Sequence, residues 1–166
     1  MDLGISGRTA LVTGASKGIG RATAEVLALE GCDVHLVART ESELNRAAEE
    51  IAKKTSRTIT YSALDLSVSE NVDALCSNYS HVDIVVNNAG ILRDKTFANL
   101  TIENFRAVLD VHLMGAVLVT KAAWPVMAAN GWGRVVLTSS GSGIFGNFGQ
   151  SNYAAAKMAL VGLKIG

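Results

Sequence analysis

Five short runs of aliphatic and β-branched residues alternate along this chain with longer segments of helical periodicity. Because short apolar runs are typical of buried strands, we predict strands at residues 9–13, 34–37, 58–63, 82–86 and 134–138. The segments between and after them predict helices at residues 20–30, 42–54, 68–79, 101–128 and 151–163. Pro125 is expected to kink the fourth helix or to mark its end.

Regular alternation of strand and helix is the signature of a parallel sheet covered by helices on both faces. We therefore predict an α/β fold, a doubly wound parallel sheet of the Rossmann type with strand order 3-2-1-4-5 and right-handed crossovers. The 166 residues match the length of roughly one domain, without a linker, a low-complexity segment or a repeat. We assign residues 1–166 to a single dinucleotide-binding domain.

The charge balance and the spacing of the cysteines and histidines indicate which kinds of ligand the protein is not expected to bind. The 15 basic and 15 acidic residues leave no net charge, whereas nucleic-acid-binding proteins show a basic excess, so no nucleic-acid partner is expected. Cys32 and Cys76 lack metal or disulfide spacing and are interpreted as reduced, buried residues. His35, His81 and His112 are scattered, which argues against a metal site.

Targeting signals are not expected from the sequence. The first residues, MDLGISGRTALV, begin with an acid and have no basic region before a long apolar run, unlike a secretory signal. The most apolar stretch, residues 111–129, is interrupted by His112, Lys121 and Pro125, whereas a membrane span needs ~20 nearly uninterrupted apolar residues. We expect a cytoplasmic protein without a membrane partner.

A glycine-rich turn, TGASKGIG at residues 13–20, lies directly between the first predicted strand and the first predicted helix. Gly14 permits a tight turn, Gly18 lets the backbone approach a ligand closely, and Gly20 packs the helix against the sheet. The helix N-terminus then offers free N–H groups to a pyrophosphate. An ordinary glycine turn is the alternative, but the position after the first strand favours a dinucleotide site.

The end of the second predicted strand indicates which dinucleotide binds. An acidic residue there would bind the ribose hydroxyls of NAD, whereas an arginine suits the 2′-phosphate of NADP. This chain has Ala38 and Arg39 at that place, and Lys17 lies in the glycine turn. The two cations predict NADP(H) as the preferred cofactor and NAD(H) as the alternative. Two solvated surface charges would be the simpler interpretation.

Three motifs together resemble the short-chain dehydrogenase/reductase family over nearly the whole chain. They are the glycine turn, the run NNAG at residues 87–90, and YAAAK at residues 153–157. The second half, with VHLMG at 111–115 and GNFGQ at 146–150, is similar to the hydroxyacyl-CoA dehydrogenase domain of peroxisomal multifunctional enzymes. The first half is similar to NADP-type members such as acyl-carrier-protein reductases.

The resemblance implies roles for individual residues. It places Asp65 at the adenine, makes Ser140 the catalytic serine, and makes Tyr153 and Lys157 the catalytic pair. His112 stands where the family usually has an asparagine in a proton relay, and it could relay protons or simply bond a backbone carbonyl. The candidate catalytic residues are Ser140, Tyr153, Lys157 and His112. The candidate cofactor-binding residues are Gly14, Ser16, Lys17, Gly18, Ile19, Gly20, Arg39, Asp65, Leu66, Asn87, Ala89, Gly90, Tyr153 and Lys157.

Tyr153 and Lys157 are four residues apart, so on a helix their side chains share one face. A free phenol is a poor base near neutrality, but a cation at ~4 Å in an effective dielectric of ~20 stabilises the phenolate by ~4 kcal/mol. Tyr153 could then exchange a proton with a substrate oxygen that Ser140 also hydrogen-bonds. The alternative is that both side chains merely pack at a helix surface.

These features predict an oxidoreductase that transfers a hydride between NADP(H) and a small-molecule ketone or secondary alcohol, with a 3-oxoacyl or 3-hydroxyacyl thioester as one candidate. The resemblance also implies a homodimer or homotetramer. It further implies strands and a substrate lid after the YAAAK helix, which this sequence does not include. The alternative is therefore a non-catalytic dinucleotide-binding or self-associating module.

Overall fold

A parallel sheet forms the centre of the protein, which we describe from a computed structural model at residues 3–77 and 81–163. The five strands are β1 (Thr9–Thr13), β2 (Asp33–Ala38), β3 (Ile59–Ala63), β4 (Ile84–Asn87) and β5 (Arg134–Leu137). Every pairing is parallel and the order is β3-β2-β1-β4-β5. The predicted α/β class and strand order are confirmed.

Helices connect and follow these strands. They are α1 (Gly18–Leu29), α2 (Glu41–Thr55), α3 (Ser69–Ser77), α4 (Ile102–Leu109), α5 (Gly115–Ala129), α6 (Gly141–Phe145) and α7 (Ser151–Gly162). A short 3₁₀ turn, Phe97–Asn99, precedes α4. The predicted end of the third helix at Tyr79 and the side chain of Cys76 lie outside the described parts of the chain.

Two apolar cores lie on opposite faces of the sheet because successive side chains of a strand point to opposite sides. Val12 of β1 packs with residues of α1 and α2, including Ala24 and Leu44. Its neighbour Leu11 packs on the other face with residues of α3 and α5, including Val119. Coverage on both faces explains why the central strands β1 and β4 carry continuous apolar runs rather than alternating ones.

The long helix predicted at residues 101–128 is interrupted, which corrects that prediction. A π-helical turn, Asp110–Met114, separates α4 from α5. Thr101 caps α4, since its side chain accepts a hydrogen bond from the N–H of Asn104. Helix α5 continues through Pro125 to its last residue, so the proline does not end it. The helix α6 is a second element that the apolar pattern did not predict.

The helical run Ile102–Ala129 is long and apolar enough to cross a membrane by length and composition alone. Its buried residues include Val108, Val119, Ala123 and Met127. Three of them, Val119, Ala123 and Met127, belong to the core shared with Leu11 and Val85 of the sheet. Packing inside the protein therefore accounts for part of the apolar character of this run, since 33% of its apolar 18-residue window is buried.

Ser56, which follows α2, adopts the left-handed conformation with φ +54° and is exposed. Glycine populates this region without the steric cost that a Cβ brings. We expect Ser56→Gly to raise the free energy of unfolding by about 0.5 kcal/mol. Ser42→Gly, at an exposed position inside α2, should instead lower it by a few tenths of a kcal/mol. Urea unfolding of both variants measures these changes, and a loss of stability in Ser56→Gly would contradict the expectation.

Candidate functional site

Most of the predicted site residues surround one cavity of about 440 Å³. It lies at the carboxyl ends of β1, β2 and β4, beside the point where the strand order reverses between β1 and β4. Open α/β sheets bind ligands at such a point. Predicted residues that line the cavity are Gly14, Ser16, Lys17, Ile19, Arg39, Asp65, Leu66, Ala89, Gly90, His112, Tyr153 and Lys157.

Four predicted residues, Gly18, Gly20, Asn87 and Ser140, lie outside that lining. Gly18 starts α1 with φ +58°, a conformation that favours glycine. A Cβ on Gly20 would lie only 2.3 Å from the carbonyl oxygen of Gly14, so this residue serves helix packing, as the sequence indicates. Asn87 is buried and its Nδ2 donates to Thr120 Oγ1 at 2.9 Å, which ties β4 to α5.

The loops after β1 and β4 are held together by Thr13, which the predicted site residues do not include. Its Oγ1 accepts hydrogen bonds from the N–H groups of Asn88 (2.9 Å) and Ala89 (3.0 Å) and donates to the carbonyl of Val86 at 3.3 Å. A Cβ on Gly14 would lie 2.9 Å from Cα of Ala89. A hydroxyl at the end of an otherwise apolar strand is the signal that points to Thr13.

The residues around the glycine turn fit a dinucleotide. Helix α1 begins without a side-chain cap and without an acidic residue in its first turn, so its N–H groups and positive dipole end suit a pyrophosphate. Arg39 lines the cavity and is exposed. The Ser67 N–H donates to the Asp65 carboxylate at 2.9 Å and, with the nearby Arg39 charge, holds the pKa of that carboxyl below its usual range.

Tyr153 and Lys157 lie on one face of α7 and both line the cavity. Lys157 Nζ is 5.7 Å from the centre of the Tyr153 ring and donates to the carbonyl of Thr138 at 2.5 Å. Only 4% of Lys157 is exposed, and this burial lowers the pKa of its ammonium to about 8. The arrangement holds a cation beside a phenol at the edge of the cavity.

His112 also packs against Tyr153. The two ring centres are 5.3 Å apart and the rings are perpendicular, at 89°. His112 Nε2 lies 3.0 Å from the N–H of Ile91 and 2.9 Å from its carbonyl oxygen, so the tautomer decides which bond forms. Burial is the main reason that the pKa of His112 is lowered, which favours the neutral ring. This contact matches the backbone-bonded alternative for His112.

The π-helical turn presents His112 to the glycine of the NNAG run. A Cβ on Gly90 would lie 2.3 Å from Cε1 of His112, so only glycine fits beside the ring. Within the described residues, His112 Nδ1 is buried and has no hydrogen-bond partner. Such single π-helical turns occur frequently at functional sites. The position of the ring therefore depends on the irregular turn that the apolar pattern did not predict.

Ser140 caps α6 and its Oγ accepts a hydrogen bond from the N–H of Ser142 at 3.2 Å. As the acceptor in this bond, the hydroxyl keeps its own proton for donation to another oxygen. The preceding residue, Ser139, donates from Oγ to the carbonyl of Lys157 at 2.8 Å. Together with the bond from Lys157 to Thr138, this contact fastens the segment after β5 to α7.

The start of α7 is held by the loop that follows the NNAG run. Gln150 Nε2 donates to Asp94 Oδ2 at 2.8 Å, and Asn152 Nδ2 donates to the carbonyl of Arg93 at 3.0 Å. Asn152 is fully buried. These bonds orient the helix that carries Tyr153, although neither Gln150 nor Asn152 is among the predicted site residues.

A larger cavity of about 830 Å³ lies away from this chemistry, along the edge strand β5. Its lining includes Trp124, Met127, Trp132 and Leu160 and none of the predicted site residues. In the described residues, no group of three His, Cys, Asp or Glu side chains is placed to hold a metal ion. We therefore identify the smaller, more polar cavity as the candidate active site.

Comparison with known proteins gives consistent similarities. The sequence model of a family described as short chain dehydrogenase matches residues 8–165. Peroxisomal multifunctional enzyme type 2 of Mus musculus is 38% identical over 97% of this chain, which spans only 23% of that protein. The 3-oxoacyl-[acyl-carrier-protein] reductase FabG of Aquifex aeolicus is 37% identical over 98% of the chain and 67% of the relative.

Solved structures are similar over the same range. The crystal structure of L-sorbose reductase from Gluconobacter frateurii, complexed with NADPH and L-sorbose, superposes with a TM-score of 0.92. Its sequence is 34% identical, and the match covers 96% of this chain and 62% of the reductase.

Replacing Lys157 by methionine measures the cost of burying its charge. Burial lowers the pKa of Lys157 from 10.5 to about 8, so near pH 7 the folded state bears a cost of up to about 3 kcal/mol. Between these two pKa values the unfolded chain binds more protons, so this cost is relieved as the pH rises. We therefore expect the stability of wild type relative to Lys157→Met to increase between about pH 7 and about pH 10, measured by urea unfolding.

Lys53→Met is the matched control, since it removes the same charge from an exposed position of α2. The difference in unfolding free energy between wild type and Lys157→Met should change with pH much more than the difference between wild type and Lys53→Met. A stability difference for Lys157→Met that is independent of pH would contradict the burial cost.

Proposed function

Since the chain belongs to the short chain dehydrogenase family, we propose that it transfers a hydride between NADP(H) and a ketone or its secondary alcohol. The single observation that carries this proposal is the shared cavity, which brings Tyr153 and Lys157 to the same space as the glycine turn. NAD(H) is the alternative cofactor. When bound, the nicotinamide dinucleotide supplies the hydride for reduction or accepts it in oxidation.

The residues of the chain handle the proton. In reduction, Tyr153 donates its phenolic proton to the carbonyl oxygen of the substrate, and in oxidation it takes the proton of the alcohol. The adjacent Lys157 ammonium stabilises the phenolate that forms when Tyr153 has given up its proton. The Ser140 hydroxyl is proposed to hydrogen-bond the same substrate oxygen as negative charge develops there. His112 is proposed to hold the Tyr153 ring in position for this proton transfer, through the edge-to-face contact between the two rings.

Lys17 and Arg39 support the preference for NADP(H). Both line the cavity near the end of β2, where a 2′-phosphate would need cationic partners. The similar L-sorbose reductase structure contains NADPH. For the substrate, we propose a 3-oxoacyl or 3-hydroxyacyl thioester, because the name of the Aquifex aeolicus relative specifies a 3-oxoacyl group.

We also propose that the protein forms a homodimer or homotetramer. Helices α4 and α5, with the π-helical turn between them, expose large apolar side chains, among them Ile102 (67% exposed) and Trp124 (41%). Large apolar side chains exposed on these helices support a surface that binds another chain.

Tyr153→Phe removes the proposed proton donor while keeping the ring that packs on His112. Wild type should oxidise NADPH in the presence of acetoacetyl thioesters or simple ketones, and the variant should lose at least about a hundredfold in kcat. Tyr61→Phe, which removes a hydroxyl bonded to Asn45 on the far edge of the sheet, is the control and should retain activity. Full activity in Tyr153→Phe would exclude Tyr153 as the donor. Cofactor binding without turnover in wild type would favour the non-catalytic module.

Arg39→Ala tests the choice of cofactor. Loss of a charged partner of the 2′-phosphate should weaken NADPH binding by about tenfold or more and leave NADH binding little changed. Calorimetric titration with each dinucleotide gives both dissociation constants, and Arg46→Ala on the exposed side of α2 serves as the control. Equal effects of Arg39→Ala on NADPH and NADH would show that the 2′-phosphate is bound elsewhere.

A further inference from the structure

Glu43, in the first turn of α2, contacts Ser16 and Lys17 of the glycine turn, and Lys17 is one of the two cations of the proposed 2′-phosphate site. Its Oε2 accepts a hydrogen bond from Ser16 Oγ at 3.0 Å, and its Oε1 is 3.5 Å from Lys17 Nζ. Glu43 also lines the cavity together with Arg39. The position is therefore occupied by an internal carboxylate before any ligand arrives.

Two cationic and two anionic side chains lie around the end of β2. Lys17 and Arg39 provide two cations, and Glu43 and Asp65 provide two anions, all of them lining the same cavity. A 2′-phosphate bound by Lys17 and Arg39 must share Lys17 with the Glu43 carboxylate or displace that carboxylate. Like charges a few ångströms apart repel by about 1 kcal/mol even in water, and more strongly where they are partly buried. The side chain of Glu43 is 31% exposed, which leaves part of that repulsion unscreened.

A ribose hydroxyl meets the same carboxylate differently. It can donate a hydrogen bond to a carboxylate oxygen, which is the way acidic residues near the end of the second strand bind NAD. The Glu43 carboxylate thus repels the 2′-phosphate of NADP(H) and can accept a hydrogen bond from the ribose hydroxyl of NAD(H). Its effect on the two dinucleotides has opposite signs.

We infer that Glu43 is a specificity-determining residue that weakens 2′-phosphate binding and so narrows the preference for NADP(H) over NAD(H). This inference rests on the proposed function, because it concerns the same dinucleotide site. Glu43 also lies in the first turn of α2, where an acidic residue favours the helix dipole. Glu41 lies in the same first turn at an exposed position. A change at Glu41 therefore measures the effect on the helix dipole without the contacts to Ser16 and Lys17.

The test compares Glu43→Gln with Glu41→Gln. The amide keeps the size of the side chain and an acceptor for Ser16, and it removes the charge. Calorimetric titration of each protein with NADPH and with NADH gives the ratio of the two dissociation constants. We expect Glu43→Gln to raise the preference for NADPH over NADH by about fivefold, the equivalent of one such charge repulsion, and Glu41→Gln to leave it within about twofold.

Glu43→Ala is the second variant and should raise the preference in the same direction. Wild type that binds NADPH, with an unchanged or lowered preference in both Glu43 variants, would overturn the inference and leave the proposed function standing. An equal rise in Glu41→Gln would also overturn it, since the cause would then be net charge. Wild type that binds neither dinucleotide would overturn the proposed function itself, and the inference with it.

Discussion

The hydroxyl of Thr13 is the interaction on which the rest of the site depends. It joins the carboxyl ends of two neighbouring parallel strands, β1 and β4, by accepting two backbone N–H groups from the loop after β4. Because Gly14 has no side chain, the two loops can approach to the distance at which these bonds form. The Thr13 side chain thus holds the backbone of Asn88 and Ala89, two residues of the cavity lining, in place before a ligand binds.

A second constraint concerns the energy stored around α7. Burial of the Lys157 ammonium opposes folding, but the Thr138 carbonyl holds the group beside the Tyr153 ring, where the proposed proton transfer would use it. Charged groups kept in partly apolar surroundings are common at catalytic sites for this reason. The bonds from Gln150 and Asn152 to the loop after β4 hold the start of the helix that carries Lys157.

Much of the architecture could be predicted because it follows from strong local patterns. Continuous apolar runs such as residues 9–13 identify strands covered on both faces. Because these strands alternate with helices, only a few strand orders of a parallel sheet are compatible with the sequence. The described boundaries of the remaining elements lie within two residues of the prediction, and those of β1 match it at both ends. The π-helical turn at Asp110–Met114 has no such pattern, because its apolar residues fit a regular helix equally well.

The site was predictable where one residue type has few other uses, as for the glycines of the turn and the Tyr153–Lys157 pair. Glu43 and Thr13 were not identified, because a first-turn glutamate and a strand threonine are ordinary residues whose partners lie far away in sequence. Their roles arise from tertiary contacts with Ser16, Lys17 and Asn88. Local patterns cannot report such contacts.

The contact between Gly90 and His112 has a consequence for how this sequence can change. The imidazole fills the space that any side chain at position 90 would need. A larger residue at 90 is therefore tolerated only after a smaller one replaces the histidine, whereas shrinking the histidine first opens a gap beside Tyr153. The two positions form an epistatic pair, in which the order of substitution decides whether each intermediate protein keeps the shape of the candidate site.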